Sequence, residues 1–356
     1  MTRRLEFEFE AAPHAVNRAS LSKLMALGCT ELNSRLPRPT LRGFPSVLQI
    51  EPTNACNLRC PLCPSGVRAF SRPVGMMDFG VYRDLLAEIG DSLSLIVLWN
   101  WGEPFLNPDI FRMIRLAKRH NIAVLASSNG QRISERSEVE ELVASGLDTL
   151  AVALDGACQE TYGKYRVGGD LDRVLNCLAL LRETKKAKGS STPLVNVRVV
   201  VTRNNEAELS EITDLALKFG ADLITYRSAS MPDCCGPGLD EKYAPSDATY
   251  RMYSYSDADY HRSKRDGFVC RRPWKRLTVN WDGTFVSCEH DFDNSVPYGK
   301  FPDDGSAVQI YNSGRARDFR ARFLRNKNEF AFCAQCPYND RVVADCTVGK
   351  EILTGP

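Results

Sequence analysis

The sequence has almost no net charge and no long hydrophobic run. Its 46 Lys and Arg residues nearly balance its 44 Asp and Glu residues, which leaves a formal charge of +2. A chain this close to neutrality sets up no overall field that would draw it to nucleic acid or to an anionic membrane. No apolar stretch approaches the roughly 18 residues that a membrane-spanning helix needs. The sequence therefore predicts neither a nucleic-acid-binding protein nor a membrane protein.

A secretion signal is also missing. Residues 1–10 contain basic side chains, but no apolar segment follows them, so we expect a cytoplasmic protein. Cysteine, by contrast, is abundant, with 13 in 356 residues. In a reducing compartment, cysteines more often bind metal or take part in chemistry than form disulfides, and an odd number cannot pair completely. We therefore expect metal-binding cysteines in a chain that is long enough for two domains.

From residue 46 onward, short apolar runs alternate with segments of helical spacing. Six runs predict buried strands, at residues 47–50, 95–99, 122–125, 150–154, 195–201 and 223–226. The intervening segments carry apolar residues on one helical face, for example Tyr82, Leu85 and Ile89. Strands that alternate with helices form a parallel sheet, and right-handed crossovers curl it toward a barrel. The sequence thus predicts an α/β fold, a partial (β/α)6 barrel with its active site at the carboxyl ends of the strands.

The rest of the chain divides around this barrel, which we assign to residues 46–228. An N-terminal extension, residues 1–45, contains one amphipathic stretch that we expect to pack on the barrel as a helix, with Leu21, Leu24, Met25, Leu32 and Leu36 as its apolar residues. Residues 229–269 are rich in Pro, Gly, Ser, Asp and Tyr, which predicts a linker or a substrate-shaping insertion. Residues 270–341 are predicted to form a small C-terminal domain, and residues 342–356 a tail.

Within the C-terminal domain, one hairpin is predicted at residues 276–280 and 284–288. A helix around residues 315–325 should follow it. Its arginines are interleaved with Phe319 and Phe323, a pattern typical of an amphipathic helix with a solvated basic face.

Three cysteines directly after the first predicted strand carry the first chemical signal. Cys56, Cys60 and Cys63 have the spacing C-x3-C-x2-C. A closed structural zinc site needs four ligands. Three thiolates on one tight loop suit a four-iron cluster better, because three irons are held and the fourth keeps open coordination positions.

At the head of six strand-helix units, this loop resembles that of the radical S-adenosylmethionine (SAM) enzymes. In that family the open iron chelates SAM, and the reduced [4Fe-4S] cluster cleaves it to a 5′-deoxyadenosyl radical. The resemblance implies SAM and this cluster as cofactors, and an electron donor such as flavodoxin or ferredoxin as a partner.

The resemblance also assigns SAM binding to residues at the strand ends, namely Leu62, Gly102, Glu103, Pro104, Ser128, Asn129, Asp155 and Arg166. Trp101-Gly102-Glu103 is similar to the family's Gly-Gly-Glu motif, which binds the SAM ammonium group, although Trp101 replaces the first Gly. Asn129 and Asp155 are expected to reach the ribose, and Arg166 is expected to pair with the SAM carboxylate. Relatives often carry a Ser at the position of Ala153. The alternative for Asn129 and Asp155 is ordinary turn chemistry.

A second group of cysteines lies in the C-terminal domain. Cys270 and Cys288 flank Gly283 in the pattern C-x12-G-x4-C, and Cys333 and Cys336 form C-x2-C. This pattern resembles the SPASM extension in its shortened, single-cluster form, called twitch. It implies one auxiliary [4Fe-4S] cluster that is held by all four thiolates and transfers electrons. The alternatives are a structural zinc site, and Cys346 as a substitute ligand.

Two further cysteines, Cys234 and Cys235, lie in the predicted linker, where substrate should enter. A thiol there is a candidate hydrogen-atom donor to a substrate radical, and an idle loop cysteine is the alternative.

The resemblance leaves several reactions open. The first is oxidation of a secondary alcohol on a small molecule, a sugar or an aminocyclitol, with the auxiliary cluster as electron acceptor, as in the radical SAM dehydrogenases of aminoglycoside (antibiotic) biosynthesis. The second is epimerisation by a cysteine donor, and the third is maturation of a ribosomal peptide. The 45-residue extension is shorter than a leader-binding module, which favours a small molecule. A different class, a non-catalytic iron-sulfur or zinc protein, would need neither the barrel nor the SAM-like strand ends.

Overall fold

The computed structural model describes residues 4–16, 19–256, 258–265, 267–343 and 346–353. The remaining parts of the predicted extension, insertion and tail lie outside the described residues. The described strands are β1 Leu5–Phe9, β2 Ala12–Val16, β3 Val47–Ile50, β4 Leu95–Val97, β5 Ala123–Ser128, β6 Thr149–Ala153, β7 Leu194–Val201, β8 Leu223–Ser228, β9 Leu277–Val279, β10 Thr284–Val286, β11 Gly299–Lys300 and β12 Thr347–Ile352.

The described helices connect and flank these strands. They are α1 Leu21–Arg35, α2 Phe79–Ile89, α3 Ile110–Arg119, α4 Arg136–Ala144, α5 Gln159–Tyr165, α6 Leu171–Lys188, α7 Leu209–Lys218, α8 Leu239–Tyr243, α9 Arg272–Lys275, α10 Ala307–Tyr311, α11 Gly314–Asn326 and α12 Ala331–Ala334. Among these helices, none is both long enough and apolar enough to cross a lipid bilayer.

The six predicted strands form the centre of the sheet in chain order. Strands β3 to β8 are neighbours, and every pair among them is parallel. All five residues of β6 are buried, as expected for a strand covered on both faces. The predicted α/β class with a parallel central sheet is confirmed.

The sheet continues beyond the six strands at both ends. Strand β9 lies parallel to β3, and β10 and β11 extend that edge, while β12 pairs antiparallel with β8. The predicted C-terminal hairpin is therefore present as β9 and β10, and it belongs to the main sheet. Its turn needs Gly283, whose φ is +84° and whose added Cβ would lie 2.3 Å from the Phe301 carbonyl oxygen.

A hairpin at the start of the N-terminal extension packs on the inner face of the barrel strands, which the sequence did not predict. Strands β1 and β2 form a separate hairpin. Its Val16, with Leu5 and Phe7 beside it, packs against the inward residues Leu95 and Leu125 of the barrel strands. The hairpin therefore supplies apolar side chains to the interior of the barrel.

Helix α1 is present where it was predicted, but the predicted apolar face was wrong. Leu21 and Met25 are 73% and 61% exposed, whereas Lys23 and Ala26 are buried. The Lys23 ammonium group donates to the carbonyl oxygen of Gly90, at a distance of 3.3 Å, and to that of Leu93. These hydrogen bonds partly offset the cost of burying the ammonium group, and they hold the Lys23 side of α1 against the end of α2.

Helix α11 also differs from its prediction at one residue. Arg317 is exposed as expected, but Arg320 is completely buried. Its guanidinium group donates to the carbonyl oxygens of Tyr311, at 2.6 Å, and Pro39, at 3.0 Å. Arg320 thus connects the N-terminal extension to the C-terminal region instead of facing solvent.

Candidate active site

The first cysteine loop lies directly after β3, inside the barrel mouth. Cys56, Cys60 and Cys63 belong to one apolar cluster with Leu62 and Tyr165. The loop turns tightly, because the Cys63 backbone N–H donates to the Cys60 carbonyl oxygen at 3.2 Å. Close packing continues just after the loop, where an added Cβ on Gly66 would lie 2.2 Å from the Cys60 carbonyl oxygen.

The chemistry of these thiols fits an iron-sulfur cluster. Burial raises the pKa of Cys56 to about 12 and also raises the pKa of Cys60, and the charge of Cys63 disfavours the thiolate form of each residue further. Three adjacent thiolates therefore need a positively charged group to become stable, and a cluster of iron ions supplies one. Within the described residues, no three His, Cys, Asp or Glu side chains are arranged to hold a single metal ion.

Glu103 lies beside this loop in a buried hydrogen-bond network. One oxygen, Oε1, accepts from the Ser128 hydroxyl at 2.9 Å and from the Phe105 backbone N–H at 3.2 Å, and Oε2 accepts from the Asn129 backbone N–H at 2.7 Å. A carboxylate has about four acceptor positions, so one position on Oε2 is left for another donor. Burial raises the pKa of Glu103 to about 7.

Gly102 and Pro104, on either side of Glu103, shape the backbone of this motif. Gly102 has a φ of +85°, and an added Cβ would lie 2.4 Å from the Thr53 carbonyl oxygen, so only glycine fits. Pro104 is buried at the first position of a short turn of 3-10 helix. The motif is therefore held against the start of the cysteine loop.

The other predicted SAM ligands, Asn129, Asp155 and Arg166, make hydrogen bonds and an ion pair with neighbouring residues of the chain. The Asn129 side chain donates to the Asn57 side-chain oxygen at 2.8 Å and approaches the Cys56 Sγ at 3.9 Å. Asp155 accepts from the Val200 backbone N–H at 2.6 Å and pairs with Arg166. The Arg166 Nη1 in turn lies 3.7 Å from the Cys60 Sγ. These contacts bring three predicted strand ends to the cysteine loop.

Sequence reasoning missed the contacts of Ser65 and Trp101, which join the Gly102-Glu103 motif to the first cysteine loop and to the C-terminal domain. The Ser65 hydroxyl oxygen accepts from the Gly102 backbone N–H at 2.8 Å. In the sequence, only the Pro64-Ser65-Gly66 turn after the third cysteine could have pointed to Ser65. The indole N–H of Trp101 donates to the Glu289 carbonyl oxygen at 2.7 Å. Trp101, a departure from the family motif, thus joins the SAM motif to the residue after Cys288.

The four C-terminal cysteines line one cavity. Its wall contains Cys270, Cys288, Cys333 and Cys336 together with Arg272, Lys327 and Tyr338 among others. Burial raises the pKa of all four thiols, and Cys270 adds to the rise in each of the other three. The donor set therefore fits a second group that carries positive charge, as a four-iron cluster does.

The linker cysteines remain candidate hydrogen-atom donors. The pKa of Cys235 is raised by its contact with Cys234 and by burial, and the charge of Cys63 in the first cysteine loop adds to the rise. Cys234 is exposed, and its Sγ lies 4.0 Å from that of Cys235. Cys346 is 7% exposed, and it belongs to the same apolar cluster as the first cysteine loop. It does not line the cavity of the four C-terminal cysteines, so its role as a substitute ligand there is not supported by its position. All thirteen cysteines are described as free thiols.

A second cavity, which we call the inner cavity, lies where the two ends of the sheet face each other. It has a volume of about 480 Å³. Its described lining comes from the hairpin, α1, the barrel edge and the C-terminal region: Glu8, Phe9, Glu10, Thr30, Glu31, Val47, Arg227, Arg272, Lys275, Arg276, Arg341 and Cys346. The three carboxylates in this lining are all paired, Glu8 with Lys350, Glu10 with Arg227 and Glu31 with Arg35.

Comparison with known proteins identifies the class of this chain. The sequence model of the radical SAM superfamily matches residues 50–216. The model of the iron-sulfur cluster-binding SPASM domain matches residues 270–337. The chain belongs to the radical SAM superfamily and carries a SPASM domain. Its cofactors are accordingly SAM and [4Fe-4S] clusters, and it is an enzyme of the radical SAM type.

Individual relatives are similar over different lengths. Mycofactocin maturase MftC from Mycolicibacterium smegmatis is 30% identical over 336 residues, which cover 89% of this chain and 82% of that protein. The AdoMet-dependent heme synthase from Methanosarcina barkeri is 28% identical over 51% of this chain and 50% of that protein. The PqqA peptide cyclase from Gluconobacter oxydans is 27% identical over 51% of this chain and 49% of that protein.

Several matches are partial. For MftC from Mycobacterium tuberculosis, 31% identity extends over 50% of this chain and 44% of that protein. The chain thus spans about half the length of several curated relatives that it matches. Among solved structures, Streptococcus suis SuiB bound to SAM has a TM-score of 0.55 at 16% identity, over 76% of this chain and 66% of that chain. At this identity the likeness concerns the fold.

Proposed function

We propose that this radical SAM enzyme modifies a peptide. The observation that carries the proposal is the alignment with mycofactocin maturase MftC, which runs through both the barrel and the SPASM domain. A second relative is named a peptide cyclase. The expected oxidation of a sugar or aminocyclitol has no such support, because the curated relatives named above are a maturase, a heme synthase and a peptide cyclase.

The inner cavity also disfavours an aminocyclitol. Such a substrate carries ammonium groups, which would need carboxylate partners. Each carboxylate in the described lining has a cationic partner. Of the five cationic side chains in the lining, Arg227 is paired with Glu10, and Arg272 and Arg276 are paired with Glu289. Cationic side chains outnumber carboxylates in this lining, five to three, which disfavours a substrate with several ammonium groups.

Within this proposal, the first cysteine loop binds the cluster that acts on SAM. Cys56, Cys60 and Cys63 are its ligands, and SAM and the reduced cluster together supply a radical that removes a hydrogen atom from a carbon of the substrate. Glu103 accepts a hydrogen bond from the SAM ammonium group, for which one acceptor position is left. Arg166, oriented by Asp155, binds the SAM carboxylate.

The remaining assigned residues orient SAM and exclude water. Leu62 lies in the apolar cluster beside the loop and would contact the adenine ring. Ser128 and Asn129 hold Glu103 in position. Gly102 and Pro104 hold the backbone of the motif close to the loop.

The SPASM domain is proposed to hold one auxiliary cluster through Cys270, Cys288, Cys333 and Cys336, which share one cavity. Flavodoxin or ferredoxin is the proposed electron donor to the enzyme. A cytosolic location suits both clusters, since free thiols persist in a reducing compartment.

Product analysis tests the proposed function. The enzyme is reconstituted anaerobically with iron and sulfide and incubated with SAM, dithionite and synthetic peptides encoded by short reading frames beside its gene. We expect 5′-deoxyadenosine together with a change in the mass of one peptide. The matched control, the Cys56→Ala, Cys60→Ala, Cys63→Ala triple variant, should retain the auxiliary iron and form neither product. Oxidation of an aminocyclitol such as 2-deoxystreptamine, with all the peptides unchanged, would contradict the proposal.

A further inference from the structure

Two polar side chains in the wall of one cavity carry a buried atom without a hydrogen-bond partner. The cavity of the four C-terminal cysteines, which we call the auxiliary cavity, also has Ser287 and His290 in its wall, one directly before Cys288 and one two residues after it. Both side chains are buried, at 2% and 9% exposure. Among the described residues, neither the Ser287 Oγ nor the His290 Nε2 has a partner. Leaving a buried polar atom unpaired is costly, so the two atoms together need an explanation.

The other nitrogen-bearing side chains of this wall are already engaged. Arg272 is paired with Glu289. Lys327 donates to the Asn339 side-chain oxygen at 2.5 Å, and the Asn339 amide group donates to the Cys333 carbonyl oxygen at 2.8 Å. A group inside the auxiliary cavity would therefore find the imidazole and the hydroxyl ready to bond, while these three side chains are held by the protein.

The proposed occupant of the cavity can pair with both atoms. A four-iron cluster presents sulfide and thiolate sulfurs at its surface, and these sulfurs carry no hydrogen, so they can only accept. A hydroxyl group and an imidazole nitrogen can each donate. Hydrogen bonds to the sulfurs are among the factors that set the reduction potential of such a cluster. They raise the potential, because the added electron makes the sulfurs more negative and strengthens each bond.

His290 also lies between the auxiliary cavity and the SAM motif. Its ring centroid is 5.1 Å from that of Tyr338, which lines the cavity, and 6.3 Å from that of Trp101. Trp101 directly precedes Gly102-Glu103. The imidazole is thus positioned by two aromatic rings, one on the side of each site, and this packing orients its nitrogen atoms.

We infer that Ser287 and His290 donate hydrogen bonds to sulfur atoms of the auxiliary cluster and thereby make this cluster easier to reduce. The inference rests on the proposed auxiliary cluster, for which it specifies two positioning residues that are not ligands. A cluster that takes up an electron more readily suits the role in electron transfer that the SPASM resemblance implies.

The test measures the reduction potential of the auxiliary cluster in the reconstituted full-length chain. The Cys56→Ala, Cys60→Ala, Cys63→Ala background leaves this cluster as the source of the electron paramagnetic resonance signal, which is followed in an anaerobic redox titration. We expect His290→Phe and Ser287→Ala each to shift the equilibrium toward the oxidised cluster by about tenfold, which lowers the potential of a one-electron couple by about 59 mV. His290→Gln keeps an N–H donor and should lie closer to the unchanged background than His290→Phe.

Two buried residues elsewhere in the fold provide matched controls. The His14 Nδ1 and the Ser94 Oγ also have no partner among the described residues, but neither residue lines the auxiliary cavity. His14→Phe and Ser94→Ala should therefore leave the potential unchanged. Shifts in these controls as large as those in His290→Phe and Ser287→Ala would overturn the inference, because the effect would then not depend on the cavity.

Iron and sulfide analysis of each variant completes the test. If one of His290→Phe and Ser287→Ala loses its iron, the potential of the other decides the outcome, and a native potential there overturns the inference. Loss of iron from both would assign the two residues a structural role and would also overturn it, as would zinc in place of iron.

The outcomes separate this inference from the proposed function. Peptide modification is measured with the first cysteine loop intact. Shifted potentials with no modified peptide would support the roles of Ser287 and His290 and refute the proposed function. A modified peptide together with native potentials in both variants would refute these roles and leave the peptide reaction standing.

Discussion

At the scale of single residues, Glu103 shows how burial prepares a carboxylate for one ligand. It accepts three hydrogen bonds from Ser128, Asn129 and Phe105, yet burial still raises its pKa to about 7. An ammonium group of SAM that fills the last acceptor position would favour the ionised form. SAM binding should therefore depend on the protonation of this residue.

Two measurements follow for Glu103. Glu103→Gln should weaken SAM binding by about ten- to a hundredfold, since it removes a charge-assisted hydrogen bond worth roughly 1.5 to 3 kcal/mol. Between pH 7.5 and 6 the SAM ammonium stays protonated, so protonation of Glu103 below pH 7 should weaken binding by about tenfold per unit in the native enzyme. The pH profile of Glu103→Gln should be flat over that range. Equal profiles in calorimetric titrations would show that Glu103 does not contact the ammonium group.

Lys23 gives a second prediction at this scale, for stability. Burial lowers its pKa to about 8, while its pKa in the unfolded chain stays near the ordinary 10.5. Below pH 8 both states carry the proton, and between pH 8 and 10.5 the unfolded state binds more protons, so the free energy of unfolding gains a contribution that rises with pH. Urea unfolding from pH 7.5 to 10 should show this contribution in the native protein and lose it in Lys23→Met. Parallel curves for the two proteins would mean that Lys23 is not buried.

At the scale of elements, α11 contains a matched pair of arginines in opposite environments. Arg320→Met leaves the carbonyl oxygens of Tyr311 and Pro39 without their charged donor inside the protein. We expect a loss of about 3 to 5 kcal/mol in the free energy of unfolding. Arg317→Met, on the exposed side of the same helix, should change it by less than about 0.5 kcal/mol. Equal effects in chemical denaturation would refute the buried role of Arg320.

Helix α1 makes the same point in reverse. Its sequence pattern predicts Leu21 and Met25 on an inner face, yet both are exposed, while Lys23, which donates to the Gly90 carbonyl oxygen, and the small Ala26 are buried. Helical periodicity reports which residues share a face. It does not report which face meets the protein when a buried polar contact competes with apolar side chains.

At the scale of the whole molecule, the two groups of cysteines occupy separate sites joined by the Trp101–Glu289 contact. Cys333→Ser and Cys336→Ser should lose the auxiliary iron while SAM cleavage to 5′-deoxyadenosine persists and peptide modification fails. The exposed Cys158→Ser is the control and should keep the iron content of the native enzyme. Iron analysis and chromatography of the products measure these outcomes, and unchanged iron in both variants would remove Cys333 and Cys336 from the ligand set.

Much of the architecture could be predicted because its signals are local. Strands β3 to β8 are short runs of mostly apolar and β-branched residues, and such runs indicate buried strands without any knowledge of their neighbours. The spacing of Cys56, Cys60 and Cys63 is equally local, since three thiols on one short loop must lie near one another in space, whereas the four C-terminal cysteines, spread from residue 270 to residue 336, were grouped by their resemblance to the SPASM pattern. Residues 5–9 also alternate apolar and acidic side chains, which is typical of a strand. This pattern does not indicate where the hairpin packs in the fold.

By itself, the sequence determined the parallel α/β core, the superfamily and the cysteines proposed to bind its clusters. The tertiary structure decided that β9 and β12 extend the sheet, that Arg320 is buried, and that Glu10 meets Arg198 and Arg227 across about 190 to 220 residues of chain. The physical reason is the distance along the chain between interacting residues. Backbone patterns and the spacing of metal ligands on one loop depend on neighbouring residues, whereas the charge pairs and the lining of the inner cavity depend on how distant segments pack together.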